Sequence, residues 1–214
     1  AKDSDAPDDI DMGAGDDFLI INSDANDTSL DGGSGSDWLA FRTVNWGASS
    51  AKIYTLNSGN ASNFENRLGS DNDDTLTGDA NANIIIGAKG VDTINGGAGN
   101  DTIISGSGSD VIIITSSSDS DTLNDFTDGT DAIGFDSSIT SSNLTITASG
   151  SDTVIKNGGD VLLTLTGISS ANFTAVDLQS TSTDAQTING TSDNDILVGG
   201  AGNDTFNGGA GSDQ

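Results

Sequence analysis

Single aliphatic residues recur along the chain at nine-residue intervals, separated by polar residues and glycines. The clearest series is Leu76, Ile85, Ile94, Ile103 and Ile112. A nine-residue repeat is too short for a pair of helices, and each glycine within a helix costs about 1 kcal/mol relative to alanine. The pattern therefore predicts short β-strands, each with one inward aliphatic side chain, joined by turns in which glycine adopts positive φ.

An acidic residue stands two positions before most of these aliphatic residues. In the central part of the chain the acidic positions hold Asp74, Asn83, Asp92, Asp101, Asp110 and Asp119, and only Asn83 departs from a carboxylate. Ser120-Asp121 interrupts the aliphatic series after the last of them. A later block repeats the pattern with Asp195, Asp204 and Asp213. An earlier block, with Asp8, Asp17, Asp27 and Asp37, is looser because its spacing drifts from nine to ten residues.

Two nine-residue units would close one flattened coil of a parallel solenoid, so that turns on the same side come from every second unit. This arrangement places Asp74, Asp92 and Asp110 on one edge and Asn83, Asp101 and Asp119 on the other. The predicted fold class is all-β, with parallel β-roll blocks and a small antiparallel β segment between them.

The repeats also predict how the chain is divided. Residues 1–41 form a first, degenerate roll block, and residues 42–68 form a strand-and-turn insertion or cap. Residues 69–121 form the central roll. Residues 122–185 contain three strand-like runs joined by Ser-Gly-Ser and Asn-Gly-Gly turns, which predicts an antiparallel meander. Residues 186–214 begin a third roll block. Because the chain lacks an initiator Met and stops within a repeat, we expect it to be part of a longer protein.

Composition restricts the chemistry to hard cations. The net charge is -27, only 33% of residues are apolar, and all but one of the 33 acids are Asp. The short Asp carboxylate suits turns and metal ligation. The sequence has no His and no Cys, which excludes His or thiolate zinc sites, His-based catalytic triads and disulfides. The charge argues against binding to nucleic acids or anionic lipids, and no apolar run is long enough to span a membrane.

Spacing identifies calcium as the expected ion. Neighbouring parallel strands lie about 4.8 Å apart, and two oxygens that are each about 2.4 Å from a shared ion span that distance. Magnesium prefers about 2.0 to 2.1 Å and a strict octahedron, so it fits poorly. Carbonyl groups of the turn glycines would complete the calcium shell. Without the ion the stacked carboxylates would repel one another, so we expect folding and calcium binding to be one event.

The tandem nonapeptides, such as those in "NGGAGNDTIISGSGSDVIII" from Asn95 to Ile114, resemble the RTX, or haemolysin-type calcium-binding, repeats of secreted bacterial proteins. The stretch from Asn63 to Ile103 resembles the start of a repeat block in that family, and the stretch from Asp121 to Ile139 resembles a segment that closes one. The resemblance implies a parallel β-roll, several Ca²⁺ ions, export in an unfolded state through a type I secretion apparatus, and an extracellular or cell-surface location.

Geometry and resemblance together assign the calcium ligands to the repeat carboxylates and the turn carbonyls. These are Asp17, Asp27, Gly33, Gly35, Asp37, Asp74, Asp92, Gly97, Gly99, Asp101, Gly106, Gly108, Asp110, Asp119, Asp195, Gly200, Gly202, Asp204, Gly209, Gly211 and Asp213. Asp125, Asp128 and Asp131 suit either a further calcium site or turn and capping roles. Trp38, Trp46 and Tyr54 suit either caps of the roll or a sugar-binding platform.

Two functions fit these features. The first is a structural, calcium-dependent module of a bacterial surface protein, such as an S-layer subunit, adhesin or filament component, which assembles with itself or with cell-surface partners. Acids outside the repeats, such as Asp152, Asp160 and Asp177, would bridge subunits. The second is the C-terminal calcium-folding and secretion domain of a secreted enzyme or toxin. Catalysis within these residues is not expected, because the chain has neither His for a zinc protease site nor a Gly-X-Ser-X-Gly turn.

Overall fold

The computed structural model describes residues 9–21, 29–41, 53–55, 61–116, 119–135, 138–139, 143–174, 177–180, 185, 187–189 and 197–211. Asp8, Asp27, Trp46, Asp195 and Asp213 lie outside these ranges, as does the side chain of Tyr54. The described residues form strands and turns without an α-helix, so none of them belongs to a helix of membrane-spanning length.

The strands are short, most of them three or four residues long. In chain order they are β1 (Asp9–Asp11), β2 (Phe18–Ile21), β3 (Ser29–Asp31), β4 (Trp38–Phe41), β5 (Ile53–Thr55), β6 (Ala61–Ser62), β7 (Asn66–Leu68), β8 (Thr75–Thr77), β9 (Ile84–Ile86), β10 (Thr93–Asn95), β11 (Thr102–Ile104), β12 (Val111–Ile114), β13 (Asp121–Leu123), β14 (Ala132–Phe135), β15 (Leu144–Ser149), β16 (Asp152–Asn157), β17 (Asp160–Leu165), β18 (Leu178–Ser180), β19 (Thr187–Asn189) and β20 (Thr205–Asn207).

Four sheets form the walls of the molecule. The long sheet has nine strands in the order β15-β16-β17-β13-β11-β9-β7-β4-β2. A six-stranded sheet has the order β18-β14-β12-β10-β8-β5, and a three-stranded sheet has the order β1-β3-β6. Strands β19 and β20 pair separately. Because consecutive central strands alternate between the long and the six-stranded sheet, the chain winds as a parallel β-solenoid, and the predicted fold class is confirmed.

The register confirms that every second repeat is stacked. Ile94 lies opposite Leu76 and Ile112, and Ile103 lies opposite Ile85, so that one central coil takes 18 residues. The first block is also a parallel roll, with Leu19 opposite Leu39 and a coil of 20 residues. The ten-residue drift in the sequence is therefore accommodated by longer coils within the same architecture.

The segment predicted as an insertion or cap, residues 42–68, contributes strands to the roll. Strand β5 pairs with β8 at one end of the six-stranded sheet, and β6 pairs with β3 at one end of the three-stranded sheet. Strand β7 lies between β4 and β9 in the long sheet. The described part of this segment is therefore the junction at which the first block passes into the central roll.

The central roll also extends beyond residue 121, where the sequence predicted its end. A longer coil brings Leu123 opposite Ile103, and Ile133 stacks opposite Ile112 on the other wall. The antiparallel meander is confirmed in β15, β16 and β17, which are joined by turns with positive φ at Gly150, Gly158 and Gly159. Strand β17 then pairs in parallel with β13, so the meander prolongs the long sheet.

The inward aliphatic residues are buried as the repeat predicts. Leu76, Ile85, Ile94, Ile103 and Ile112 have at most 1% of their surface exposed. They belong to a large apolar cluster that extends through the central roll and the meander. A second, smaller cluster in the first block contains Leu19, Ile21, Leu30, Leu39 and Phe64. Within the roll the core is thus a narrow column of single side chains, and in the described residues it forms two separate clusters.

Truncation of one column residue should destabilise the calcium-loaded roll. We expect Ile103→Ala to lower the free energy of unfolding by about 2 to 5 kcal/mol, because Ile103 is fully buried between Ile85 and Leu123. Urea unfolding in saturating calcium measures this change. The matched control is Ile104→Ala, since Ile104 is half-buried and faces outward; an equal loss from both variants would contradict the assignment of the core.

Candidate metal centre

Two columns of acidic residues run along the roll, one at the start of each wall's strands. In the first acid column each carboxylate accepts a hydrogen bond from the backbone amide of the acid one coil earlier. The amide of Asp74 donates to Oδ1 of Asp92 at 2.8 Å, Asp92 donates to Asp110 at 2.9 Å, and Asp110 donates to Asp131 at 3.1 Å. This repeated bond holds successive coils in register.

The second acid column precedes the strands of the long sheet and follows the same rule, except between Glu65 and Asn83. The amide of Asp17 donates to Oδ1 of Asp37 at 2.8 Å, and the amide of Asp101 donates to Oδ1 of Asp121 at 2.9 Å. The described members of this column are Asp17, Asp37, Glu65, Asn83, Asp101 and Asp121.

The structure corrects the position of Asp119 in this column. Asp121 occupies the place after Asp101, because the chain has two extra residues in that coil. Asp119 is exposed, and its Oδ2 accepts the amide of Gly99 at 3.1 Å. In the sequence, an acid of the column can be recognised by the aliphatic residue two positions after it. The buried Leu123 marks Asp121 in this way, and the buried Ile133 marks Asp131. Glu65 gave no such signal, because an arginine follows it at the aliphatic position.

The columns contain buried carboxylate oxygens that no protein group satisfies. Among the described residues, Oδ2 is buried without a hydrogen-bond partner in Asp17, Asp37, Asp92, Asp101 and Asp110. A buried polar atom without a partner costs about 1 to 3 kcal/mol, and more when the group is charged. In each of Asp37, Asp92, Asp101 and Asp110 one oxygen is held by the amide of the previous coil while the other lacks a donor. This arrangement suits a cation.

The turn glycines let successive coils approach one another closely. Gly97, Gly99 and Gly106 have φ values of 99, 101 and 101°, which L side chains rarely adopt. A Cβ built on Gly97 would meet the carbonyl of Asp79, and one built on Gly106 would meet the carbonyl of Ala88. Turns of successive coils are therefore stacked backbone on backbone, which leaves no room for a side chain.

The same close stacking occurs at the other described turns. Gly33 and Gly35 lie against the carbonyls of Gly13 and Gly15, and Gly108 lies against that of Gly90. No group of three or more acidic side chains converges among the described residues. A shell of the six to eight oxygens that calcium takes would therefore need backbone carbonyls in addition to the carboxylates.

The remaining predicted ligands differ in their surroundings. In the third block, Asp204, Gly200 and Gly202 are half-buried, and Gly209 and Gly211 have φ values of 91 and 128°. Asp74 is buried, and its Oδ2 accepts the amide of Ser70 at 2.6 Å and the Ser70 hydroxyl at 2.8 Å.

For Asp125, Asp128 and Asp131 the sequence suited either a calcium site or a capping role. Two of the three have contacts of the capping kind. Asp125 accepts the amides of Ser105 and Gly106, and Asp131 accepts those of Asp110 and Thr127. Asp128 is exposed.

Burial raises the pKa of several column carboxyls. Desolvation raises the pKa of Asp92 to about 7, against the lowering effect of the hydrogen bond from Asp74, and nearby Asp110 and Asp74 raise it further. Desolvation likewise raises the pKa of Asp101 to about 6 and that of Asp121 to about 7. The pKa of Asp110 is also raised by burial. Without a metal ion, burial therefore shifts the titration of these carboxyls to higher pH than that of an ordinary aspartate.

Comparison with known families agrees with this geometry. The profile of the RTX calcium-binding nonapeptide repeat matches residues 68–103, 77–112, 89–123 and 180–214. The chain carries RTX calcium-binding repeats. The matched segments include most of both acid columns in the central roll, so the central roll is a calcium-binding module.

The chain is also similar in part to two solved structures. The R3 subunit of the AlgE6 mannuronan C5-epimerase from Azotobacter vinelandii is 20% identical, with a TM-score of 0.41, over 63% of this chain and 81% of that one. The extracellular lipase LipA from Serratia marcescens is 17% identical, with a TM-score of 0.36, over 82% of this chain but 38% of the lipase. No curated protein sequence matches the chain significantly.

Acid should stabilise the calcium-free roll. Asp92, Asp101 and Asp121 bind their protons more tightly in the folded chain than in the unfolded chain, where the Asp pKa is about 3.9. Their contribution is therefore complete below pH 4 and is lost as the pH rises towards 7. Thermal unfolding in calcium-depleted buffer at several pH values measures the slope. Asp92→Asn should flatten it, and a stability that rises with pH over this window would contradict the burial of these carboxyls.

Proposed function

We propose that this RTX roll is a structural module of a bacterial surface protein, which acts outside the cell and folds when it binds calcium. The proposal is supported by buried Oδ2 atoms that have no hydrogen-bond partner, in Asp17, Asp37, Asp92, Asp101 and Asp110. Bound calcium would supply positive charge and oxygen coordination at these atoms. Carbonyls of the stacked turns at Gly33, Gly35, Gly97, Gly99, Gly106 and Gly108 would complete the shells.

The chain's own contribution is to hold these oxygens in register. The amide-to-carboxylate bonds set one acid above another, and the turn glycines allow the backbones to approach. Asp74, Asp119 and the third-block residues Asp204, Gly200, Gly202, Gly209 and Gly211 stay as proposed ligands of further ions. Asp27, Asp195 and Asp213 would extend the same columns.

A dependence on calcium also suits export. Where calcium is scarce, the net charge of -27 and the unsatisfied columns oppose folding, so the chain would remain unfolded for passage through a type I secretion apparatus. Where calcium is abundant, neutralised columns allow the coils to stack. This difference in calcium supports an extracellular site of action.

The outer face of the long sheet supports a role in assembly. Alternate residues of its strands point away from the core, and Ile20, Ala40, Leu68, Ile86 and Ile104 lie opposite one another across five strands. Of these, Ala40 is buried, and Leu68, Ile86 and Ile104 are half-buried. Beside them, Phe18 stacks on Trp38 with ring centroids 6.2 Å apart. Trp38 therefore belongs to the wall of the roll.

This outer face, from β2 to β11, carries no ionisable side chain. Phe18, Ile20 and Ile84 are exposed by 51, 45 and 38%. The corresponding positions on β8 and β10 in the six-stranded sheet are Thr75, Thr77, Thr93 and Asn95. In a chain with a net charge of -27, the apolar face is where a second copy can approach without opposing carboxylates. We therefore assign the face to self-association.

Asp177, which the sequence placed among outward bridging acids, is 1% exposed and accepts internal hydrogen bonds.

Loss of one column carboxylate should weaken calcium binding. We expect Asp101→Ala to move the calcium midpoint to higher concentration and to lower the cooperativity, because Asp101 bridges Asn83 and Asp121 in the second acid column. Calorimetric titration of the full chain measures both quantities. Asp160→Ala is the control, since Asp160 is exposed and lies outside the columns. An unchanged midpoint in Asp101→Ala would refute the ligand assignment.

Self-association should depend on the apolar face. In saturating calcium, sedimentation velocity should show wild-type oligomers, and the double variant Ile84→Thr with Ile86→Thr should be monomeric with an unchanged β spectrum. Threonine retains a high strand propensity. The matched control is Val111→Thr with Ile113→Thr, which alters outward residues of the opposite wall. A monomeric wild-type chain would instead favour the secretion domain of an enzyme or toxin.

A further inference from the structure

The acid columns depart from aspartate at two successive coils of the long sheet. In the second acid column, Glu65 and Asn83 stand between Asp37 and Asp101. Glu65 is the only Glu in the sequence. Arg67 follows it at the inward position that Leu39 and Ile85 occupy in the neighbouring strands. We call Glu65, Arg67 and Asn83 the junction triad.

Protein groups already satisfy both polar atoms of the Asn83 side chain. Oδ1 accepts the amide of Asp79 at 2.9 Å. Nδ2 donates to the Glu65 carbonyl at 2.9 Å and to Oδ1 of Asp79 at 3.2 Å. An amide NH₂ is a hydrogen-bond donor and does not ligate a hard cation. The bond from Asn83 Nδ2 to the Glu65 carbonyl thus joins two coils without any charged group. By contrast, Asp101 in the next coil has a buried Oδ2 without a partner.

Glu65 uses its longer side chain to continue the column without leaving a buried oxygen unsatisfied. Its Oε2 accepts the amide of Asp37 at 2.8 Å, as an aspartate oxygen does elsewhere in the column. The amide of Glu65 donates to the carbonyl of Asp37 at 3.2 Å. No oxygen of Glu65 is among the buried carboxylate oxygens that lack a partner in the described structure.

Arg67 places a permanent positive charge inside the roll at the same coil. Its side chain is 1% exposed, and a guanidinium stays protonated at every physiological pH. It also interrupts the apolar column, since the cluster of the first block ends at Phe64 and the cluster of the central roll begins at Leu76. At this coil the core therefore holds a positive charge that belongs to the chain itself.

We infer that the junction triad forms a coil that needs no calcium and divides the RTX roll into two separate calcium-binding groups. The first group contains Asp17 and Asp37, and the second contains Asp92, Asp101 and Asp110. The unsatisfied carboxylate oxygens lie on either side of the triad and not within it. The inference rests on the proposed role of these carboxylates as calcium ligands. It adds that binding in one group does not order the other.

Hydrogen exchange during a calcium titration of the full chain tests the division. Mass spectrometry of peptides from residues 9–41 and 84–135 reports the two groups separately. Asp37→Asn should shift the calcium midpoint of protection in the first region alone, and Asp110→Asn should shift it in the second region alone. Shifts of equal size in both regions from either variant would overturn the inference. If neither variant shifts any midpoint, the ligand assignment itself fails.

A gain of calcium binding provides an independent test of the same inference. Asn83→Asp replaces the donating amide with a second carboxylate oxygen, so the variant should bind one more calcium ion per chain in equilibrium dialysis. Asn124→Asp is the control, because Asn124 is exposed and outside the columns, and it should leave the stoichiometry unchanged. An unchanged stoichiometry in Asn83→Asp would contradict the inference, as would an equal increase in Asn124→Asp.

Discussion

The hydrogen bond from a backbone amide to the carboxylate one coil further along is the interaction on which this roll depends. It fixes the register of the coils, and in doing so it buries the second oxygen of the same carboxylate where the protein offers no donor. In Asp37, Asp92, Asp101 and Asp110 the bond and the unsatisfied oxygen belong to one short side chain. At Asp131 the amide of Thr127 satisfies the second oxygen, so the need for a cation differs from coil to coil.

The apolar core alone stabilises the roll only weakly against the repulsion among its carboxylates. Each strand of the central roll contributes about one fully buried aliphatic side chain, and burying such a side chain yields about 1.5 to 3 kcal/mol before the chain entropy is subtracted. The molecule carries a net charge of -27 with 33% apolar residues. Desolvation, and to a smaller extent neighbouring acids, raise the pKa of Asp92, Asp101 and Asp121, so burial is the main factor that disfavours the charged form. At neutral pH protons no longer neutralise these buried carboxylates fully, and bound calcium would neutralise them instead.

The nine-residue repeat was sufficient to predict the strand pattern, the stacking of every second repeat and the inward column, because each depends on residues at fixed spacing. It misplaced the end of the second acid column, since two extra residues put Asp121 where Asp119 was expected. It also missed Glu65 and Arg67, which take repeat positions without the repeat's residue types. Such substitutions are recognised only when the sheet register is known. The outer apolar face escaped prediction because it combines strands that are distant in sequence.

If calcium binding at the acid columns and folding of the roll are one event, the secondary structure of the chain must depend on calcium. Far-UV circular dichroism of the full chain at neutral pH measures this dependence, with calcium titrated in from a chelated start and magnesium titrated in parallel. We predict a coil spectrum in chelator, a cooperative transition to a β spectrum with calcium, and little response to magnesium. A full β spectrum in chelator, unchanged by calcium, would contradict it, because the aliphatic column would then be enough to fold the chain.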